Sequence, residues 1–204
     1  MRTTRTVGLA AALALVLGGT LAACGDDNAQ NPTTSQASST QHNDADITFA
    51  TEMIPHHAQA LTMVEMMGGR PVDPAVEKLA GDIRDAQTPE IETMTQWLTQ
   101  WGEKVPQTGQ DHGHNDMGGM GGMGDDQAAP GMMSDADMKE LQQAPDAQFQ
   151  DMWLEMMIKH HQGAIAMAKA EIENGQYQPA VDLAKQIVAS QSEEISTMQD
   201  MLSN

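Results

Sequence analysis

Two pairs of adjacent histidines, each flanked by methionine, are the residues of this sequence best suited to bind a metal ion. The first pair lies in Met-Ile-Pro-His-His-Ala-Gln-Ala and the second in Met-Met-Ile-Lys-His-His-Gln-Gly-Ala. On a helix, residues three, four and seven positions apart share a face, so each copy forms one stripe of methionine, histidine, alanine and methionine. Imidazole nitrogen and thioether sulfur are together typical ligands of copper, above all of Cu(I). The pattern therefore predicts metal ligands at Met53, His56, His57, Met63, Met157, His160, His161 and Met167.

The alternative is that these histidines are core or capping residues that hydrogen-bond to neighbouring groups. A single histidine would favour that interpretation, but the pair occurs twice and methionine flanks it both times. The sequence leaves open which histidine of each pair binds the ion. Pro55 precedes the first pair and Lys159 the second, so we expect the two sites to differ. We also expect Pro55 to free a backbone carbonyl and to bend its helix.

A third candidate site is the segment Asp-His-Gly-His-Asn-Asp-Met-Gly-Gly-Met-Gly-Gly-Met over residues 111–123. A glycine-rich segment has no core for methionine to fill, so packing does not explain its three thioethers. The remaining alternative is a low-complexity insert without function. The segment predicts a flexible site for Cu(I) or Ag(I), with Cu(II) at its His-Gly-His end. Its ligands would be His112, His114, Met117, Met120 and Met123.

A second stripe, Gln-x-x-Glu-Ile-x-x-Met, also occurs twice. Its isoleucine and methionine are predicted to be core residues. The glutamine and glutamate lie one turn apart on a largely apolar face, and two interpretations stay open. Either they point inward, where imidazole N–H groups would be their partners beside a metal site, or they border the face and reach solvent. These residues are Gln87, Glu90, Gln191 and Glu194.

The motifs belong to a repeat, because a shift of 104 residues aligns the two halves of the chain without a gap. Helical periodicity and turn residues predict two long helices in each half, at about 46–67 and 73–101 and again at about 146–174 and from 179 onward. A short capped helix is predicted at 134–141. The expected fold is all-α, a four-helix bundle in which two repeated αα-hairpins, 43–101 and 134–204, form one domain. Residues 102–133 are predicted to be a flexible linker.

The N-terminal residues predict export and lipid attachment. Arg2 and Arg5 precede an apolar run at 7–17 that is too short for a comfortable membrane span. Leu-Ala-Ala-Cys follows and ends at Cys24, the only cysteine of the chain. We therefore expect residues 1–23 to be a lipoprotein signal peptide, Cys24 to be lipidated, and residues 24–42 to form a flexible tether to the membrane. The alternative is ordinary signal cleavage beside an incidental cysteine.

Charge and composition restrict the function further. The full chain has a formal net charge of −19, which becomes −21 without Arg2 and Arg5 of the signal peptide. A chain this acidic is not expected to bind nucleic acid, whereas its field attracts cations. The chain has 18 methionines but only three tryptophans, two phenylalanines and one tyrosine. The excess fits either an irregular helical core or soft metal ligands.

The two His-His motifs, each followed by Gln-x-x-Glu-Ile-x-x-Met, resemble the DUF305 family. The resemblance covers about residues 43–101 and 133–202 and implies a secreted protein with a ferritin-like helical-bundle fold. Some members of the family are periplasmic copper-binding proteins that help cells tolerate copper through methionine and histidine ligands. The resemblance therefore implies the same role for the histidines and methionines of both motifs. The insert at 111–123 lies outside the shared core.

Together these features predict an exported, lipid-anchored, non-enzymatic buffer or chaperone for Cu(I) or Ag(I). It would face the periplasm or the cell exterior and exchange copper with a donor or acceptor protein. One alternative is a metal-free bundle that is structural or binds a partner protein. Another is a ferritin-like di-metal enzyme, which requires Glu-x-x-His motifs. Glu52 lies four residues before His56 and Glu155 five before His160, so neither forms that motif.

Overall fold

A computed structural model describes residues 41–108 and 129–203 of the chain. All regular secondary structure within these two ranges is α-helical, which confirms the predicted all-α class. The helices are α1 (Asp44–Glu65), α2 (Pro74–Trp101), α3 (Asp135–Gln143), α4 (Asp146–Asn174) and α5 (Gln178–Leu202).

Local sequence signals explain where the helices begin and end. The Asn43 side chain accepts hydrogen bonds from the amides of Ala45 and Asp46, so α1 begins two residues earlier than predicted. Ser134 forms the predicted capping box of α3 with the residue three positions later. Proline occupies the first position of α2, and Gly102 ends that helix with a φ of 78°.

The long helices pack as two hairpins that meet along α1 and α4. Helix α1 packs against α2, α4 packs against α5, and α1 contacts α4. The start of α1 lies beside the end of α4, because Asp46 accepts a hydrogen bond from the Tyr177 amide at 2.9 Å. At the opposite end, the Trp153 indole donates to the Met63 carbonyl at 2.9 Å. Helices α1 and α4 are therefore antiparallel, and their central turns face each other.

Two apolar clusters form the core, one toward each end of the α1–α4 pair. One contains Met63, Val64, Ile83, Phe149, Trp153 and Met157 among its buried residues. The other contains Phe49, Met53, Ile54, Leu98, Met167 and Ile187. Along α1, residues 53 and 54 belong to one cluster and residues 60, 63 and 64 to the other. The histidine pair at 56–57 therefore lies between the two clusters.

The described part of the predicted linker differs from expectation at one end. Residues 129–133 form the end of the predicted linker, and there Pro130 and Met133 hydrogen-bond to side chains of α1. Pro55 lies inside α1, which continues beyond it to Glu65. The predicted signal peptide, Cys24 and nearly all of the tether lie outside the described residues, as do 109–128. Among the described helices, none combines the length and apolar character needed to cross a membrane.

Candidate functional site

The four motif histidines lie together in the interior, where α1 contacts α4. His56, His57 and His161 are 0% exposed and His160 is 1% exposed. The rings of His56 and His160 lie against each other, with centroids 3.7 Å apart and planes inclined by 35°. The ring centroids of His160 and His161 are 6.4 Å apart. The two motifs therefore form one histidine cluster at the centre of the molecule, not two separate sites.

The outer histidine of each pair is held by a glutamate from the other helix of its own hairpin. His57 Nε2–H donates to Glu90 at 2.7 Å, and His161 Nε2–H donates to Glu194 at 2.8 Å. A carboxylate oxygen accepts hydrogen bonds, so the shared hydrogen belongs to Nε2 in each pair. Both Nδ1 atoms are buried and have no hydrogen-bond partner among the described residues. A carboxylate orients metal-binding histidines in proteins in this way.

The neighbouring glutamines also point inward but do not contact the imidazoles. Gln87 is 2% exposed and Gln191 is 3% exposed. Both amide atoms of Gln87 and the amide oxygen of Gln191 lack a hydrogen-bond partner within the described ranges. If both residue types pointed inward, the sequence predicted hydrogen bonds from the imidazoles to the glutamines and the glutamates. Only the glutamates form them.

The inner pair differs from the outer pair in having no carboxylate partner. His56 Nε2–H donates to the Pro130 carbonyl at 3.0 Å, whereas neither ring nitrogen of His160 has a partner in the described part of the chain. Burial, followed by the electrostatic influence of His57, lowers the pKa of His56 to about 3, while the hydrogen bond to Pro130 opposes this shift. Burial, followed by the electrostatic influence of the neighbouring histidines, holds the pKa of His160 well below its ordinary value. Both rings are therefore neutral at pH 7 and need not lose a proton before binding a metal ion.

All four motif methionines are buried, but the structure groups them differently from the sequence. Met63 and Met157 lie in one core cluster, and Met53 and Met167 lie in the other. Each side of the histidine cluster therefore receives one thioether from each repeat. Ten helical residues separate Met53 from Met63, a distance of about 15 Å along α1. The predicted stripe is present, but a single ion could not bind both of its methionines.

The described residues do not contain a preformed site built from the usual titratable ligands. Within 41–108 and 129–203, no three His, Cys, Asp or Glu side chains converge in a metal-binding arrangement. A complete ligand set among these residues would have to include thioethers or a ring that turns. The predicted insert ligands His112, His114, Met117, Met120 and Met123 lie outside the described residues, as does the predicted lipidation site Cys24.

Sequence reasoning missed the groups that cover the cluster. The Gln59 amide bonds to the Met133 backbone, and the Pro130 carbonyl contacts His56. One signal was present in the repeat, because the 104-residue shift places Gln59 on Gly163, two residues after the matched histidine pairs. Such a change from a long polar side chain to none marks a position where the two halves have different neighbours.

A buried pair of carboxyl groups was also missed. Asp46 is 0% exposed and accepts hydrogen bonds from the backbone amides of Asn43, Gln176 and Tyr177. Burial, with the neighbouring Asp46 carboxyl as the second cause, raises the pKa of the Glu171 carboxyl to about 8. Glu171 is therefore largely protonated at neutral pH, and the pair joins the start of α1 to the end of α4.

Comparisons with known proteins agree with this fold. A DUF305 fragment from Deinococcus radiodurans is 30% identical with a TM-score of 0.66, covering 79% of this chain and 97% of that one. A DUF305 protein from Streptomyces coelicolor, named as a candidate secreted protein, is 31% identical with a TM-score of 0.65, covering 78% and 92%. CopM in its Cu(I)-bound form is 30% identical with a TM-score of 0.60, covering 78% and 96%.

CopM has also been solved in Cu(II)-bound, Ag-bound and apo forms. No curated protein matches the chain. The profile described as Domain of unknown function (DUF305) matches residues 46–202, which include all five helices except the first two residues of α1. This chain belongs to the DUF305 family.

Proposed function

We propose that this protein is a non-enzymatic copper-binding protein of the cell envelope that holds Cu(I) or Ag(I) at the histidine cluster. The observation that supports this most directly is the contact between His56 and His160, whose centroids are 3.7 Å apart. Three of the four ring nitrogens in that pair have no hydrogen-bond partner among the described residues. Neutral imidazoles with free lone pairs are ready ligands for copper.

The energetic cost of the cluster also favours a ligand. Each buried polar group without a partner costs about 1–3 kcal/mol relative to its hydration in the unfolded chain. The cluster holds five such nitrogens, on His56, His57, His160 and His161, and two buried glutamine amides stand on the flanking helices. Apolar residues would pack there at lower cost, so stability alone does not account for the cluster. Coordination of an ion would offset this cost.

The choice of metal follows from the ligand types. The cluster provides imidazole nitrogen, and the flanking core provides thioether sulfur from Met53, Met63, Met157 and Met167. Soft thioethers select Cu(I) and its chemical analogue Ag(I) over harder cations. CopM, solved with Cu(I), Cu(II) and Ag, gives independent support at 30% identity. The His/Met-rich insert at 111–123 would supply a second, flexible site for the same ions.

The cellular setting is part of the proposal. We infer that Cys24 carries the lipid that anchors the protein to the membrane, with the domain on the periplasmic or outer side. A buffer or chaperone in this position would receive copper from one protein or release it to another. The absence of a recognisable nucleophile or Glu-x-x-His motif in the sequence supports a role without catalysis.

An anaerobic Cu(I) titration against a competing chelator tests the proposal. It would compare the wild-type protein with a variant carrying alanine at all four motif histidines and with one lacking residues 110–124. We expect tight binding that is lost in stages, with circular dichroism confirming that each variant is helical. Weak binding that neither change affects would overturn the proposal and would favour a metal-free bundle whose histidines are core residues.

A further inference from the structure

The segment Ala129–Met133, which we call the strap, lies across the two helices that carry the histidine pairs. On the α1 side, the Pro130 carbonyl accepts the hydrogen bond of His56 Nε2–H at 3.0 Å. On the α4 side, the backbone of the strap lies directly on Gly163. A Cβ atom at Gly163 would stand 1.8 Å from the Pro130 oxygen and 2.7 Å from Gly131 Cα, so any side chain there would displace the strap.

A second contact fixes the end of the strap. The Gln59 amide donates to the Met133 carbonyl at 2.9 Å, and the Met133 amide donates to the Gln59 oxygen at 2.7 Å. The Gln59 side chain therefore pairs with the Met133 backbone through one donated and one accepted hydrogen bond, as the backbones of two adjacent strands do. Gln59 lies one helical turn after His56. Its two hydrogen bonds therefore hold the strap beside the His56 ring, which bonds to Pro130.

The two repeats contribute different residues to this arrangement. Gln59 and Gly163 are equivalent positions, three residues after His56 and His160 respectively. The first repeat supplies the amide that clamps the strap, and the second supplies the space in which the strap rests. One consequence is that the two inner histidines are unequal. His56 Nε2 is engaged by Pro130, whereas both ring nitrogens of His160 lack a partner among the described residues.

We propose that the strap is the cover of the histidine cluster, and that Gln59 and Gly163 are positioning residues that hold it closed. The cover lifts to admit the ion, because the backbone of the strap lies against both helices beside the two inner histidines. This inference rests on the proposed function for the identity of the ion, but the covering role is independent of it.

The covering role is tested without metal by diethyl pyrocarbonate, which acylates accessible neutral imidazole nitrogens. Wild-type protein would be compared with Gln59→Ala and Gly163→Ala, and tandem mass spectrometry would follow each histidine separately. The matched controls are Gln162→Ala, an exposed glutamine of α4, and Gly81→Ala, a helical glycine whose added Cβ would meet only one side-chain atom, 3.8 Å away.

We expect diethyl pyrocarbonate to modify His160 and His56 about tenfold faster in both strap variants. Gln59→Ala removes the two hydrogen bonds to Met133, and Gly163→Ala fills the space in which the strap lies. The controls should match wild type. Equally slow modification in wild type and in a folded Gln59→Ala variant would show that the helices alone bury the rings, and would overturn the proposal. Gln59→Ala decides the question even where Gly163→Ala fails to fold.

Stopped-flow mixing with anaerobic Cu(I) tests the role in metal access. The strap variants should bind and release Cu(I) about tenfold faster than wild type, with the affinity changed by no more than about twofold, because the same cover has to lift in both directions. Unchanged association in variants that react faster with diethyl pyrocarbonate would overturn this role. No Cu(I) uptake by wild type would instead overturn the proposed function, while the acylation rates would still support or overturn the strap as a cover.

Discussion

The ring of His56 lies against the ring of His160, although 104 residues separate them in the chain and each comes from a different hairpin. The contact exists because α1 and α4 are antiparallel and meet at their central turns. It brings two neutral, buried imidazoles to one point with thioethers on either side. Four consequences of this arrangement can be measured.

Replacing motif methionines by leucine separates a ligand role from a packing role. Leucine has nearly the same volume but no sulfur, so Met63→Leu with Met157→Leu should change the free energy of unfolding by less than about 1.5 kcal/mol. We expect the affinity for Cu(I) to fall by at least about tenfold, because thioether ligands are removed. The control is Met94→Leu with Met198→Leu, an equally buried pair that lies outside the His-His motifs. Equal affinities in both double variants would contradict the ligand role.

The glutamates that hold the outer histidines should tune metal affinity. Glu90→Gln and Glu194→Gln keep an acceptor for Nε2–H but remove the negative charge. Loss of such an orienting carboxylate typically costs 10- to 100-fold in affinity, and we expect about tenfold for each substitution. Chelator competition would measure it. Glu92→Gln and Glu193→Gln, at exposed positions of the same helices, should leave the affinity at the wild-type value.

Asp46 should be a major determinant of stability. Its carboxylate accepts hydrogen bonds from three backbone amides, two of which belong to the segment after α4. Asp46→Ala removes the buried acceptor of these part-buried donors and should lower the free energy of unfolding by about 3 kcal/mol. Urea denaturation would measure the loss. Asp44→Ala, at an exposed position of the same helix turn, should cost less than about 1 kcal/mol.

Glu171 should make stability depend on pH. Its pKa is about 8 in the folded protein against an ordinary 4.5, so the folded state keeps a proton that the unfolded chain releases. Its stabilising contribution is therefore complete below about pH 4.5 and is lost as the pH rises through about 8. The melting temperature of wild type relative to Glu171→Gln should fall across this window. The control is Glu173→Gln, a change at an exposed glutamate of the same helix. If the difference in melting temperature between wild type and Glu171→Gln did not change with pH, or changed no more than the difference between wild type and Glu173→Gln, the assignment would be contradicted.

The sequence predicted the helices well because their signals are local. The apolar period, the Asp73-Pro74 start and the Ser134 capping box each depend on residues within a few positions of one another. The contacts of Glu90 and Glu194 with the histidines were also within reach. Both connect helices of one hairpin, and the repeat places them at the same spacing of 33 residues.

The sequence could not predict the features that depend on how the hairpins meet. Pro130 and Gly131 follow a glycine-rich stretch whose composition indicates a flexible linker, and their positions are fixed by contacts with His56 and Gly163 far away in the chain. The Asp46–Glu171 pair was hidden for the same reason, since each residue alone resembles an ordinary acid at a helix end. Local composition says nothing about such distant partners.

The antiparallel meeting of α1 and α4 has a consequence for stoichiometry. Two copies of a ligand motif in a sequence suggest two independent ions, one for each copy. In this fold the two copies lie together, and the rings of their inner histidines, His56 and His160, are in contact. Under the proposed function, the two motifs would therefore form one joint centre, and neither half of the chain contains all four histidines by itself.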